Sequence, residues 1–188
     1  VEADPELEIT GRFLTSVDVY FGAKDDTLPI TLEIRNVING YPGNKILPFS
    51  RVIKDTADVN VSDTAATATT FTFPSLVFVE IETEYALVLK CATPEYNVWV
   101  TRLGDTDIGG TRTISEQPHV GLLFKSQSST TLFPAPQEDL KFAIKTAKFD
   151  ITADGLVTLT NDDVPTVTLG RDPIVMDETT TLKVKHPD

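Results

Sequence analysis

Cysteine, histidine and tryptophan are scarce in this chain of 188 residues, which contains one, two and one of them respectively. A single cysteine excludes an internal disulfide, a thiolate-ligated structural zinc site and an iron–sulfur cluster. Cys91 ends the apolar run Tyr85–Cys91, and we predict that its side chain is a small buried one. Apolar runs are also short, since none approaches the roughly 20 residues that a membrane-spanning helix needs.

Basic residues are outnumbered in the sequence, because 16 Lys and Arg stand against 28 Asp and Glu, for a formal net charge of −12. Proteins bind nucleic acids and anionic lipids mainly through Lys and Arg side chains that neutralise the phosphates. The charge balance therefore argues against nucleic acid and against a membrane surface as partners. The acidity itself mostly favours solubility and does not identify a partner.

The sequence contains no convincing set of catalytic groups. His119 and His186 lie far apart, and neither has a second ligand at metal-binding spacing. Glu80, Glu82 and Glu84 alternate as if along one strand and could mimic the carboxylate pair of a glycosidase. Such a pair spans two elements across a cleft, so we predict a solvated strand face or a charged edge instead. Neither a phosphate-binding loop nor a nucleophile elbow occurs, and we predict a protein that is not an enzyme, with no catalytic and no metal-ligating residues.

Acidic turns are the only candidates for cation binding. They are Asp25–Asp26, Asp105–Asp107 and Asn161–Asp163, and their oxygens are of the type that Ca²⁺ prefers. A single structural Ca²⁺ is one interpretation, but ordinary Asx turns explain the same residues, and no cofactor is expected.

Residue composition predicts an all-β protein. Threonine occurs 27 times beside many Val, Ile and Phe, and these types favour pleated strands. Pro and Gly recur at short intervals and no helical periodicity is present. We predict an antiparallel β-sandwich, jelly-roll-like, with a C-terminal β-hairpin or connector extension. The predicted strands are Arg12–Phe21, Leu28–Val37, Thr69–Phe73, Leu76–Ile81, Tyr85–Cys91, Tyr96–Leu103, Val120–Lys125 and Leu140–Phe149.

Within single strands, residue alternation predicts the buried face. In the first strand Phe13, Val17, Val19 and Phe21 should share one face, together with Thr15. In the second strand, alternation should place the Ile and Leu residues at positions 30, 32 and 34 opposite the polar residues at positions 31, 33 and 35. After it, the segment 39–43 is rich in turn-forming residues and is predicted to be a loop.

The sandwich is expected to comprise residues 1–149, and residues 150–188 a short β extension leading to a following module. The extension has few aromatic residues and is too short for a core of its own. The chain does not begin with Met and ends without an evident stop, so we expect a fragment or a processed product of a longer protein.

Trp99 is the one candidate for ligand recognition. Regular strand alternation points its ring and the Asn97 amide to the side opposite the flanking valines. An aromatic ring flanked by amide and hydroxyl groups on an exposed sheet face suits stacking and hydrogen bonding to sugars, and the candidate glycan-binding set is Asn97, Trp99 and Arg102. The alternative is that Trp99 is a core residue of the sandwich.

Nine segments follow one another in a recurring order between Gly11 and Phe149. They are Phe13–Phe21, Leu28–Arg35, Asn39–Pro42, Ile46–Ser50, Ala68–Phe73, Glu84–Leu89, Tyr96–Gly104, Leu123–Gln127 and Glu138–Phe142. This series resembles jelly-roll modules of baseplate wedge and tail structural proteins in contractile-tailed phages, especially marine myoviruses of the cyanophage type. The resemblance implies a non-enzymatic virion structural module in the phage tail or baseplate, whose partners are other baseplate and tail proteins. The alternative is a carbohydrate-binding module that recognises host surface glycan.

Overall fold

The computed structural model describes residues 10–116, 121–128 and 131–149, and these residues form an all-β protein, as predicted. Within this part of the chain one turn of 3₁₀ helix, Thr56–Asp58, is present, and no helix is long and apolar enough to cross a membrane. The strands are β1 (Gly11–Ala23), β2 (Ile30–Ile38), β3 (Tyr41–Ile46), β4 (Val52–Lys54), β5 (Ala68–Glu80), β6 (Tyr85–Cys91), β7 (Asn97–Val98), β8 (Val100–Arg102), β9 (Leu123–Ser128), β10 (Thr131–Ala135), β11 (Glu138–Leu140) and β12 (Phe142–Thr146).

Two antiparallel sheets form the sandwich. In the first sheet β1 is central, with β5 along one edge, β12 along the other, and β7 paired with the C-terminal end of β1. In the second sheet β2 is central; β6 lies on one side of it, and β3 and β4 lie on the other. Two smaller antiparallel pairs, β8 with β11 and β9 with β10, complete the described strands. The strands β1, β2, β5 and β6 alternate between the two sheets, which is compatible with the predicted jelly-roll-like sandwich.

Apolar side chains from the central strands form the core between the two sheets. Alternation along β2 buries the Ile and Leu residues at positions 30, 32 and 34, as predicted. The complete set of buried cluster residues is Leu14, Val17, Val19, Phe21, Ile30, Leu32, Ile34, Val59, Phe71, Phe73 and Val77.

A β-bulge changes the predicted face of Phe13. The pairing of β1 with both neighbours shifts between Leu14 and Ser16, so Leu14 joins the buried cluster instead of Phe13. Phe13 pairs with Phe78 of β5, and their ring centroids lie 5.1 Å apart. The prediction was right for Val17, Val19 and Phe21 and wrong for Phe13, because a bulge shifts the side-chain alternation by one residue.

The two strands predicted at Thr69–Phe73 and Leu76–Ile81 are one strand, β5. The register with β1 shifts by several residues around Pro74, where Pro74 and Ser75 are exposed. Proline cannot donate to a sheet ladder and is therefore confined to edges and bulges, so β5 continues through an irregularity at this position.

A tight hairpin joins β2 to β3 where a longer loop was predicted. Asn39 and Gly40 both have positive φ, 53° and 78°, and Ile38 pairs with Tyr41. Asn-Gly is the preferred pair for a two-residue type I′ turn, which matches the twist of the flanking strands.

Two other predictions concern the burial of Cys91 and the C-terminal boundary of the sandwich. Cys91 is exposed, not buried, because it lies at the end of β6, where its thiol contacts the Thr93 carbonyl at 3.1 Å. The chain divides into compact units Val1–Lys148 and Phe149–Asp188. The predicted C-terminal extension lies outside the described residues.

Candidate functional site

Trp99 lies between β7 and β8, at the point where the chain changes its pairing partner. β7 pairs with β1, and β8 pairs with β11. The backbone N–H of Trp99 donates to the Tyr20 carbonyl at 2.9 Å, and its carbonyl accepts from the Lys141 N–H at 3.0 Å. Backbone hydrogen bonds therefore hold Trp99 from β1 and from the residue that links β11 to β12.

The indole of Trp99 is half-buried and packs against the first sheet. Its Nε1 atom donates a hydrogen bond to the Ser62 carbonyl at 2.8 Å. The ring passes over Gly22, where a Cβ atom would lie 3.5 Å from Nε1 and 3.6 Å from Cε2. The only polar atom of the indole is thus used within the fold, while part of the ring remains accessible.

Lys141 also connects the segment of residues 62–65 to the first sheet. Its Nζ atom donates to the Ala65 carbonyl at 2.9 Å and lies 4.5 Å from the centroid of the Tyr20 ring. Trp99 and Lys141 together fasten residues 62–65 to the surface of the first sheet.

The structure places Asn97 beside Trp99 but places Arg102 elsewhere. Asn97 pairs with Ala23, is exposed, and makes no side-chain hydrogen bond within the described residues. Arg102 is exposed beside the turn that joins β10 to β11, and strand alternation sets it out of phase with Trp99. A glycan-binding role for Asn97, Trp99 and Arg102 stays a prediction.

Asp25–Asp26 and Asp105–Asp107, which were considered as cation-binding groups, lie in loop segments outside the strands, and Asn161–Asp163 lies outside the described residues. Within residues 10–116, 121–128 and 131–149, no three His, Cys, Asp or Glu side chains are grouped as a metal site would require. Asp25 Oδ1 accepts hydrogen bonds from the backbone N–H groups of Leu28 and Thr27, at 2.8 and 2.7 Å, and these bonds hold the pKa of Asp25 well below its usual range. This is an Asx turn, the favoured interpretation of such residues. His119 and His186 lie outside the described residues.

Glu80, Glu82 and Glu84 do not share one strand face, because β5 ends at Glu80 and the chain then turns. All residues of this segment are exposed, and Glu82 has a φ of 58°. We refer to Glu80–Glu84 as the acidic turn. Its glutamates form no ion pair with any described residue, so they are solvated, as predicted, but in a turn.

Charge is distributed unevenly along the chain. Residues 27–54, which contain β2, β3 and β4, carry four Lys and Arg and one acid, Glu33. The remaining residues carry 12 Lys and Arg against 27 Asp and Glu. The second sheet is therefore basic in a protein that is otherwise strongly acidic.

Glu33 is the centre of this basic region. Its side chain is 1% exposed although it lies on the outer face of β2. Arg35 donates to Oε2 from Nε and Nη2, at 2.9 and 2.6 Å, and Arg51 approaches Oε1 with Nε and Nη2, each at 2.8 Å. Burial raises the pKa of Glu33, but the hydrogen bonds and positive charges of Arg35, Lys90 and Arg51 together outweigh that effect and leave the pKa below its ordinary value. Two guanidinium groups on one carboxylate leave a net positive charge.

Lys90 and Ile53 extend the same surface. Both pair with Thr31 across the sheet, from β6 and β4 respectively, so their side chains share its outer face. Lys90 lies close enough to Glu33 to lower its pKa further. We call the surface formed by Arg35, Arg51, Ile53 and Lys90 around Glu33 the basic face.

The turn that precedes β4 presents an exposed aromatic side chain. Phe49 is 60% exposed and has a φ of 62°, and the Ser50 N–H donates to the Leu47 carbonyl at 3.2 Å. A proline at the second position and a positive φ at the third are typical of a type II turn, which favours Gly or Asn where this chain has Phe49. Phe49 therefore occupies a conformation that is unfavourable for a bulky residue.

Ser50 fixes this turn to β2. It is fully buried, and its Oγ atom accepts a hydrogen bond from the Ile34 N–H at 3.2 Å. The same Oγ lies 3.0 Å from the Ile34 carbonyl and 2.8 Å from the Leu47 carbonyl, to either of which its hydroxyl can donate. Phe49 is thus held at the surface by a rigid, internally bonded turn.

No protein-family model, no curated protein and no solved structure matches this chain.

Neither the basic face nor the unusual conformation of Phe49 was predicted from the sequence. The basic face had a visible signal, namely a stretch from 27 to 54 with a single acid among four basic residues. The positive φ of Phe49 had no signal in the sequence, because a turn of this type is normally recognised by Gly or Asn at that position.

Proposed function

We propose that the chain is a non-enzymatic structural module of a phage baseplate or tail protein and that it acts through protein–protein contacts. It would reside in the virion, with other baseplate and tail proteins as its partners. The resemblance of residues 11–149 to such modules motivates the identity, and the surface of the second sheet supports the mode of action.

Phe49 is the observation that carries the protein-contact proposal. A bulky residue in the left-handed region costs about 1–3 kcal/mol, and such residues concentrate at functional sites. Because Phe49 is 60% exposed, packing within the chain offsets little of that cost. Ile53 is also exposed, by 62%, just beyond the same turn. Aromatic side chains that are rigidly presented are typical anchors of protein interfaces.

The second candidate function is glycan binding at Trp99. It is favoured by the accessible part of the indole ring and by the free amide of the adjacent Asn97. It is weakened by the Ser62 carbonyl, which occupies the indole N–H, and by the separate position of Arg102.

Antibody labelling of intact particles tests the first proposal. Antibodies raised against this chain should label the tail or baseplate of the encoding phage in electron micrographs. Absence of the chain from purified particles would contradict the proposal.

The fluorescence of the single tryptophan tests the alternative. Trp99 emission, with and without iodide quenching, would be recorded across a panel of bacterial surface polysaccharides. We expect no response to any glycan; a saturable change with one polysaccharide, lost in Asn97→Ala, would favour the carbohydrate-binding module.

A further inference from the structure

We infer that the basic face of one copy of this chain docks the acidic turn of a second copy, so that copies associate head to tail. This inference rests on the proposed function, because it specifies one of the protein–protein contacts that the module would make. It joins two surfaces that have opposite charge and that each carry an exposed isoleucine, Ile53 on the basic face and Ile81 in the acidic turn.

The two surfaces are complementary in charge. The basic face offers Lys90, which is exposed, and Arg51, whose side chain is 55% exposed after pairing with Glu33. The acidic turn offers three exposed glutamates without ion pairs in the part of the chain that the structure describes. Carboxylates that meet guanidinium and ammonium groups form charge-assisted hydrogen bonds and steer association over several ångströms.

Each surface also carries exposed aliphatic area. Ile81 is 50% exposed between Glu80 and Glu82 in the acidic turn, and Ile53 is 62% exposed in the same cross-strand row as Lys90, with Thr31 between them. Interfaces combine an apolar centre with a polar rim, so a contact between these two surfaces would bury both isoleucines within a ring of charges.

Lys90 and Ile53 of the basic face lie at the end of the second sheet opposite the acidic turn, whereas Arg35 lies close to the turn, opposite Ala86. Thr31 marks one end, where it pairs with both Lys90 and Ile53. Asn36 marks the other end, where it pairs with Tyr85, the residue that directly follows the acidic turn. Five residues of strand separate these two rows, which is roughly 17 Å at 3.3–3.4 Å per residue. The acidic turn therefore cannot reach Lys90 or Ile53 of its own chain, but it can reach those of another copy.

Symmetry decides how such copies would associate. A two-fold symmetric contact between basic faces would place like charges against each other. A contact between the basic face of one copy and the acidic turn of another is heterologous when it is not reciprocated, and repetition of it then generates a ring or an open row of copies.

Two complementary pairs of neutral substitutions test this arrangement. The first variant, Arg51→Gln with Lys90→Gln, keeps the acidic turn but weakens the basic face. The second variant, Glu82→Gln with Glu84→Gln, does the reverse. Sedimentation velocity of the full 188-residue chain at about 50 mM salt should show concentration-dependent oligomers, which dissociate at about 500 mM as screening shortens the Debye length.

Each variant alone should associate at least tenfold more weakly than the natural chain. An equimolar mixture of the two variants should form a complex that contains one copy of each. Larger oligomers should not form, because only one basic face and one acidic turn in that complex are intact. The matched controls remove the same number of charges elsewhere: Arg12→Gln with Arg102→Gln, and Glu95→Gln with Asp105→Asn. Both controls should associate like the natural chain.

Three outcomes would overturn the inference: a natural chain that is monomeric at all concentrations, association unaffected by either variant, or variants that fail to complement each other when mixed. Circular dichroism would establish that each variant is folded. If the variant with both Arg51→Gln and Lys90→Gln is not folded, Lys90→Gln alone replaces it. Particle labelling would still decide the proposed function, so failure of self-association and failure of the virion assignment are separate results.

Discussion

Glu33 and Arg35 lie two positions apart on β2 and form a nearly buried ion pair on the outer face of their sheet, with Nη2 of Arg35 2.6 Å from Oε2 of Glu33. Residues at i and i+2 of a strand project from the same face, which brings the two side chains together. The Arg35 side chain is 17% exposed and Glu33 is 1% exposed. The outer face of this sheet therefore contains a desolvated charge cluster where exposed polar residues would be ordinary.

Glu33→Gln should destabilise the protein by about 3 kcal/mol. The substitution keeps the shape of the side chain but removes the only negative charge between Arg35 and Arg51, and breaking a buried ion pair from one side typically costs about 3–5 kcal/mol. The exposure of Arg51 places the expected value at the lower end of that range. Urea unfolding followed by circular dichroism measures the change.

Glu95→Gln is the matched control for this substitution. Glu95 is exposed and forms no ion pair with a described residue, so its replacement should change the unfolding free energy by less than about 0.5 kcal/mol. If both substitutions had the same small effect, the Glu33 cluster would not contribute to stability as its geometry implies.

Acid should weaken the fold through the same group. Burial raises the pKa of Glu33, but the hydrogen bonds and charges of its basic neighbours together leave it below its usual 4.5. Burial likewise raises the pKa of Asp18, but contacts with Lys145 and Thr70 leave it below its usual 3.8. A carboxyl group whose pKa is lower in the folded state stabilises the fold above its unfolded pKa. The unfolding free energy should therefore be constant above about pH 6 and fall progressively below about pH 4.5.

Urea midpoints measured at intervals from about pH 6 down to pH 2 would give this profile. Glu33→Gln should make the unfolding free energy depend less steeply on pH, and adding Asp18→Asn should reduce the slope further. Each substitution removes a carboxylate that takes up a proton when the chain unfolds in acid. A profile of unchanged steepness in the double variant would assign acid sensitivity to other carboxylates, of which Asp25 is the first to test.

Phe49→Gly should stabilise the isolated protein by about 1 kcal/mol, although it removes an aromatic side chain. Glycine adopts a positive φ without the steric cost that a residue with a Cβ atom pays. Little packing is lost, since Phe49 is 60% exposed. Thermal and urea unfolding would both report the gain.

Phe133→Gly is the control for this prediction. Phe133 is 56% exposed but lies within strand β10, where glycine is unfavourable, so this substitution should destabilise the protein. A loss of stability in Phe49→Gly as well would mean that the aromatic ring is needed by the fold rather than displayed for a partner.

Much of the fold could be predicted because alternation is a local property. In β2 the residues at positions 30, 32 and 34 are apolar between polar neighbours, and one buried face follows directly. Phe13 could not be assigned in the same way. Its face depends on a bulge opposite β5, which only the pairing of distant strands creates.

The candidate surfaces were less predictable for a similar reason. The exposure of Trp99 depends on where β7 and β8 part to pair with different strands, and on a carbonyl 37 positions away at Ser62. The burial of Glu33 depends on Arg51, which the sequence separates from it by a hairpin and a turn. Residue types indicate what such groups can do, whereas their partners are set by topology.

Trp99→Phe should destabilise the protein by about 1–2 kcal/mol, because it keeps a ring over Gly22 but leaves the Ser62 carbonyl without the indole N–H. Amide hydrogen exchange should become faster in residues 62–66, which that bond helps to hold. Tyr41→Phe is the control: Tyr41 is 51% exposed and its hydroxyl makes no hydrogen bond in the described part of the chain, so its loss should be close to neutral. Equal effects of the two substitutions would mean that the bond to Ser62 does not anchor this segment, and that the Trp99 ring is available for another role.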